Sequence, residues 1–421
     1  MLGLLTNLPL AITQAAAYMN MLDISVEEYL ILSRQEMMDL MRNRHEDDNF
    51  HDESQYAVAT TWLISFKQLE KQSSAATRLL RFMIWIQPQA IPMSILPDVG
   101  SEGNLIKAIG LLKSYGFVRA RPERGMFDIH SLVHMVMRSW TVEQGIDDEI
   151  KTDAINHLSG IFQSDDWDVR ETWRAQLPHI LHILNNFRET DPSTVLELGY
   201  WAGRCLYKDG QIKEAVALLE HVVKIEETTL AEDHPSRLSS QHVLAGAYKS
   251  NGQIKEAVTL LEHIVKIQET TLAEDHPDRL SSQHELAGAY ESNGQIIEAV
   301  ALLEHVVQIR ETTLAEDHPS RLASQHVLAR AYESNSQIKE AVALLEHVVK
   351  IQETTLAEDH PSRLASQHEL ARAYESNGQI KEAVTLLEHI VKIQEITLAE
   401  DHPNGIRSET HLSDVLDQVY A

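Results

Sequence analysis

The tripeptide Asp-His-Pro ends at Pro235, Pro277, Pro319, Pro361 and Pro403, so the C-terminal half of the chain repeats with a period of 42 residues. No other feature constrains the fold as much, because a fixed period of this length means that one small supersecondary unit is stacked on copies of itself. Residues 319–360 and 361–402 differ at only five positions: Val327/Glu369, Ser336/Gly378, Ala343/Thr385, Val348/Ile390 and Thr354/Ile396. The copies are recent duplicates, and identity between them says little about selection.

Each unit is expected to be two helices. Leu238, Leu244, Ala245 and Tyr248 recur at helical spacing, and Ala257, Val258, Leu261, Ile264, Val265 and Leu272 continue the stripe in a second segment. Asn251-Gly252 divides the two, Gly supplying a left-handed residue that ends the first helix, and Pro235 or Pro277 suits the first helical turn. Neither helix hides its stripe alone, so neighbouring units must share a core. A β-propeller of similar period is excluded because no window alternates apolar and polar residues between turns.

Composition limits the function. Among 421 residues, 63 Asp plus Glu against 36 Lys plus Arg give a net charge of −27, which disfavours a phosphate backbone as partner. A single Cys, Cys205, closes no bridge within the chain and fits a reducing compartment. The 22 histidines are mostly a product of duplication. His221, His263, His305, His347 and His389 form one periodic set, His242, His284, His326 and His368 a second, and His234, His276, His318, His360 and His402 a third. Equivalent positions on stacked units lie at least one helix spacing of about 8–10 Å apart, too far for one metal ion, so no metal site is expected.

Residues 1–22 carry no charge, but Thr6, Asn7, Pro9, Thr13, Gln14 and Asn20 interrupt the apolar run. A turn followed by a buried helix is expected rather than a membrane anchor, and the chain is read as cytoplasmic. From Ala75 to Trp140 the pattern changes: Ala75–Trp85 and Asn104–Tyr115 are helical, and residues 117–121 and 126–129 flank a hairpin turn at 122–125. This predicts a small winged-helix domain. Lys107, Lys113, Arg119, Arg121 and Arg124 keep DNA binding open beside the plainer expectation of solvated wing residues.

Two family resemblances follow from these residues. Leu244-Ala245-x-Ala247-Tyr248, Gly252, Glu256-Ala257 and Pro277 resemble the tetratricopeptide repeat, and the longer unit with its Asp-His-Pro junction is most similar to the kinesin light chain subtype. Asn7-Leu8-Pro9-Leu10-Ala11, Ala59-Thr60-Thr61-Trp62 and residues 127–134 resemble parts of the NB-ARC ATPases, the nucleotide-switched (STAND, NLR-like) signalling proteins, in their fungal members. Those members commonly end in tetratricopeptide arrays. The resemblance implies that Pro9 packs on adenine and that His130 contacts nucleotide phosphates, although Ile129 and Ser131 depart from the Met and Asp that flank this His in the family.

No Gly-Lys pair occurs anywhere, so a phosphate loop of the G-x-x-x-x-G-K-[ST] type is missing. The expectation is a non-enzyme without cofactor, with Pro9 and His130 as vestigial contacts and ADP or ATP relevant only if an upstream module supplies the loop. No G-x-S-x-G elbow occurs either, and Cys205 reads as a core residue.

The expected fold is mainly α: an α-solenoid of 42-residue tetratricopeptide repeats preceded by a small winged-helix domain. Its parts are a helical NB-ARC remnant (1–60), the winged helix (61–145), a helical linker (146–192), five repeats of which the first is degenerate (193–402) and a capping helix (403–421). By resemblance, partner proteins or peptides bind the concave face of the first helices. The candidate residues are His242, Gly246 and Lys249; His284, Gly288 and Glu291; His326, Arg330 and Glu333; and His368, Arg372 and Glu375. Arg330 and Arg372 beside Glu333 and Glu375 are expected to form a groove that pairs with either sign of charge. An interaction and sensing scaffold is the leading expectation, with a kinesin-light-chain-like cargo adaptor and a winged-helix DNA-binding regulator as alternatives. Membrane and nucleic acid are not expected as partners, and self-association is left open.

Overall fold

The structure, a computed structural model, describes residues 9–42, 53–123, 125–185, 193–397 and 403–420. The chain forms two compact units, residues 1–218 and 219–421.

The first unit opens with α1 (Pro9–Leu22) and α2 (Val26–Arg42), joined through Asp23 at φ 52°. Ser25 and Glu28 close a capping box at the start of α2: the Glu28 amide donates to Ser25 Oγ at 3.2 Å and the Ser25 amide to Glu28 Oε2 at 2.7 Å. Ala15 and Tyr18 of α1 are buried, as the uncharged N-terminal run predicts. The unit continues with α3 (Glu53–Gln72), α4 (Ser74–Met83), β1 (Ile91–Pro92), α5 (Glu102–Ser114), β2 (Val118–Ala120), β3 (Met126–Ile129) and α6 (Ser131–Glu143). The strands form one antiparallel sheet in the order β1-β3-β2, with Val118 opposite Ile129 and Ala120 opposite Phe127. Gly125 at φ 77° turns the β2–β3 hairpin. Trp62 packs on Phe117 with ring centres 5.4 Å apart, and Phe66 meets Trp140 edge-on at 4.6 Å.

Next come α7 (Asp147–Ile161), α8 (Arg170–Leu184), α9 (Ser193–Lys208) and α10 (Ile212–Thr229), within which the division between units falls. Cys205 is fully buried in α9, and burial pushes its thiol up to about 12, which makes it an inert core residue.

The second unit repeats one helical hairpin. Its helices are α11 (Pro235–Ser250), α12 (Ile254–Thr271), α13 (Pro277–Ser292), α14 (Ile296–Thr313), α15 (Pro319–Ser334), α16 (Ile338–Thr355), α17 (Pro361–Ser376), α18 (Ile380–Thr397) and α19 (Pro403–Tyr420). The repeated Asp-His-Pro has a local cause. His234, His276, His318 and His360 are N-caps whose Nδ1 accepts the amide two residues on, at 3.1–3.2 Å, and Pro takes the first helical position. At the other end, Gly252 at φ 81° lets the Gln253 amide donate back to the Tyr248 carbonyl at 2.9 Å. Ser336 stands in this place at φ 63°. Leu238, Leu261, Ile264 and Leu286, from three successive helices, share one core cluster, so no unit closes its core alone. Among the described residues no helix is long and apolar enough to cross a membrane.

Candidate partner-binding face of the repeat array

The twelve candidate residues fall on α11, α13, α15 and α17, and all are half-buried. Small and polar side chains there let successive first helices approach, and the structure shows how they are spent. Lys249 Nζ lies 2.9 Å from Glu285 Oε2 on the next first helix. Glu291 accepts Arg330 through Nε and Nη2 at 3.0 and 2.8 Å, and Glu333 accepts Arg372 the same way at 3.2 and 3.0 Å. Glu369 joins Arg372 at 2.6 Å, and Glu375 meets His411 of α19 at 2.9 Å. A ladder of charge-assisted, partly bidentate bonds therefore links each first helix to the next.

This sharpens the expected groove. Arg330 and Arg372 pair with Glu291 and Glu333 of the preceding helix, so the arginines are engaged inside the array before any partner arrives. Gly288 stands beside the Lys249–Glu285 pair, and a Cβ there would meet Lys249 Nζ at 3.5 Å, an ordinary contact.

The histidines form a second row. His242, His284 and His326 each place Nδ1 within 3.4, 3.3 and 3.2 Å of Ser282, Ser324 and Ser366 Oγ, and His368 Nε2 lies 3.4 Å from His411. Burial pushes His284 and His368 down to about 4 and lowers His326, so these rings are neutral near pH 7. Burial opposes ionisation of Glu285 as well, but Lys249 outweighs it and holds the carboxyl below its ordinary value. Among the described residues no three His, Cys, Asp or Glu converge to hold a metal. The face carries hydrogen-bonding groups and ion pairs.

Three residue sets were not anticipated. Glu285 and Glu369 complete the ladder, and they occupy the column that reads Val243, Glu285, Val327, Glu369, a signal the copies themselves carry. Ser282, Ser324 and Ser366 are invariant between copies and gave no signal. A buried column reads Glu226, Gln268, Arg310, Gln352 and Gln394. Arg310 donates to Ser320 O at 2.8 Å and to Ser324 Oγ. Glu226 accepts from Ser240 at 3.1 Å, and burial pushes its carboxyl up to about 7.

The N-terminal candidates belong to the first unit. Pro9 is the first residue of α1, and its side chain lies outside the described residues. His130 is exposed between β3 and α6, while His134, one turn on, is half-buried with Nε2 3.2 Å from Ile86 O. Of the basic cluster, Lys107, Lys113 and Arg119 are exposed, Arg121 Nε pairs with Asp128 at 2.9 Å, and Arg124 lies outside the described residues.

Residues 196–270, 278–354 and 335–396 match the tetratricopeptide repeat family model. A nucleotide-binding leucine-rich repeat (NLR)-like protein of Hyaloscypha variabilis is 34% identical over 246 residues, 56% of this chain and 25% of that protein, so the chain spans a quarter of that relative's length. A putative kinesin light chain of Podosopora anserina with nearly identical TPR-like repeats is 59% identical, over 49% of this chain and 97% of that structure, with a TM-score of 0.44. A signal transduction ATPase with numerous domains (STAND) from Pyrococcus horikoshii, with a tetratricopeptide repeat sensor, is 13% identical over 96% of this chain and 61% of that one, with a TM-score of 0.43.

Proposed function

The chain belongs, through its array, to the tetratricopeptide repeat family, and from that premise we propose that it is the interaction and sensing part of an NLR-like signalling protein, binding protein or peptide partners on the face of its first helices. One observation carries this. In four near-identical units, the columns of Val243, Gly246 and Lys249 are among those that change from copy to copy, and those three columns supply the inter-helix ladder. Part of the variation thus falls where a partner would meet charge. A ligand that inserts its own acid or base between rungs would trade one ion pair for another, a nearly balanced exchange that favours specificity over raw affinity.

The function is non-catalytic on this reading, with Pro9 and His130 as the places where a nucleotide held by a separate phosphate-loop module would be felt. The sheet and helices of residues 61–145 act as its winged-helix domain. The test begins with a partner recovered on the intact chain. R330A/R372A is expected to weaken that partner at least about tenfold while the protein keeps its helical circular dichroism. Unchanged affinity in the folded variant rejects the first-helix face.

A further inference from the structure

A different set of clefts lies between the second helices of successive units. Glu262 of α12, Leu286 and Tyr290 of α13, and Glu298 and Leu302 of α14 enclose one of about 460 Å³. Two units further on, Glu346, Leu370, Tyr374, Glu382 and Leu386 enclose its counterpart of about 630 Å³. The leucines make an apolar floor, and the glutamates are exposed at the rim.

Each cleft carries three glutamates and one tyrosine among its polar groups. The Tyr290 hydroxyl donates to Glu262 Oε1 at 2.8 Å and Tyr374 to Glu346 at 2.9 Å, which fixes both rings against the rim. Gln283 lines the first cleft, is 2% exposed, and its Oε1 has no hydrogen-bond partner. The same orphan recurs at Gln241, Gln325 and Gln367, so it belongs to the repeat as a whole. Lys266 and Arg279 also line this cleft, where Arg279 donates to Leu272 O, and Lys350 and Lys381 line its counterpart. Among the described residues no cation lies within 4.0 Å of the Glu262, Glu298, Glu346 or Glu382 carboxylates.

We propose that these clefts dock arginine side chains of a basic, elongated protein segment, one arginine to a cleft. The guanidinium would lie between Glu262 and Glu298, or Glu346 and Glu382, with its face on the tyrosine ring and its stem over the leucines. Charge complementarity commits the choice of occupant: α12 and residues 277–318 together enclose the first cleft, the latter carry eight acidic and two basic side chains, and the Glu262 and Glu298 carboxylates at the rim have no cationic partner among the described residues. The planar fork of arginine has five donors for acceptors on several sides and stacks on an aromatic face, which the ammonium of lysine cannot match. These residues do not overlap the first-helix face, so this site stands or falls independently of that one.

The test uses the full chain and fluorescein-labelled nona-arginine, read by anisotropy in about 0.15 M salt, where diffuse attraction is largely screened. E298Q/E382Q is expected to weaken binding at least about tenfold. The charge-matched E232Q/E316Q, on exposed loop residues outside the clefts, is expected to change it less than about twofold. Nona-lysine should bind the unaltered protein several-fold more weakly. Equal weakening by both variants, or equal binding of the two peptides, would overturn the proposal in favour of diffuse charge. If E298Q/E382Q melts early, E262Q/E346Q takes its place with the same two outcomes.

Discussion

In the N-terminal unit each stabilising contact exists once: Phe66 meets Trp140, Trp62 meets Phe117, and both ring nitrogens of buried His179 lie 3.1 Å from the carbonyls of Gln87 and Ala90. In the array Leu261, Leu303, Leu345 and Leu387 occupy one buried place four times over. A unique contact fixes one arrangement of unlike elements, whereas a copied contact fixes only the relation of neighbour to neighbour. The array therefore repeats its apolar core with no more than Ile/Val exchange, as at Ile264 and Val306, while its charge changes in a few polar columns. The N-terminal unit has no such division between scaffold and variable face.

The largest test of that contrast is core truncation. Phe66→Ala should cost about 3–5 kcal/mol, and Leu303→Ala and Leu345→Ala about 2–5 kcal/mol each in urea unfolding. The two array variants should agree within about 0.5 kcal/mol, because stability sums over equivalent interfaces. A large disagreement would show that the copies are not energetically equivalent.

Acid comes next. His284 and His368 are held down to about 4 in the folded array, below their usual 6.5, chiefly by burial. The unfolded chain then takes up protons first, so stability is full above pH 6.5 and is lost as pH falls towards 4, by on the order of 1–3 kcal/mol per ring. Melting curves from pH 7 to 4.5 should show this, and His284→Gln should flatten the slope.

Glu226 runs the other way. Its folded carboxyl is raised from 4.5 to about 7, so the stability it permits is full below pH 4.5 and is lost as pH rises through 7. Glu226→Gln, which restores the residue found at 268, 352 and 394, should gain on the order of 2 kcal/mol at pH 8 and almost nothing at pH 5. Equal gains at both would break the assignment.

The smallest effects are at the surface. Ser336→Gly should stabilise by about 0.5–1 kcal/mol, since a side chain at φ 63° is strained where Gly is not. A double-mutant cycle of Arg372→Ala with Glu333→Ala should give a coupling of about 0.2–1 kcal/mol, because the arginine is half exposed. A larger value would mean that the ladder stabilises the array more than its cores suggest.

Much of the array was legible in the sequence. Helix ends at Pro235 and Gly252 and the stripe through Leu244 and Leu261 follow from period and turn chemistry, and Ser336 was marked by standing where its copies have Gly. Periodicity tells which face a residue is on and not which neighbour it meets. Hence Arg330 pairs with Glu291, on another helix, rather than with Glu333 three residues along its own. In the N-terminal unit, β1 is two residues long and too short to show alternation, and His134 and His179 owe their burial to contacts distant in sequence. Of the candidate site, the place of its residues on the first helices was legible. The clefts were not, since Glu262, Tyr290 and Glu298 come together only when three helices stack.

The polarity of the ladder also bears on how this gene can change length. Excision of residues 319–360, a block of 42 codons, would bring Glu291 opposite Arg372 and leave every rung matched. Excision of residues 277–318 would instead set Lys249 against Arg330 and remove Glu285, the acid that now answers that lysine. Slippage between near-identical copies is therefore tolerated electrostatically towards the C-terminal end of the array and penalised at its beginning.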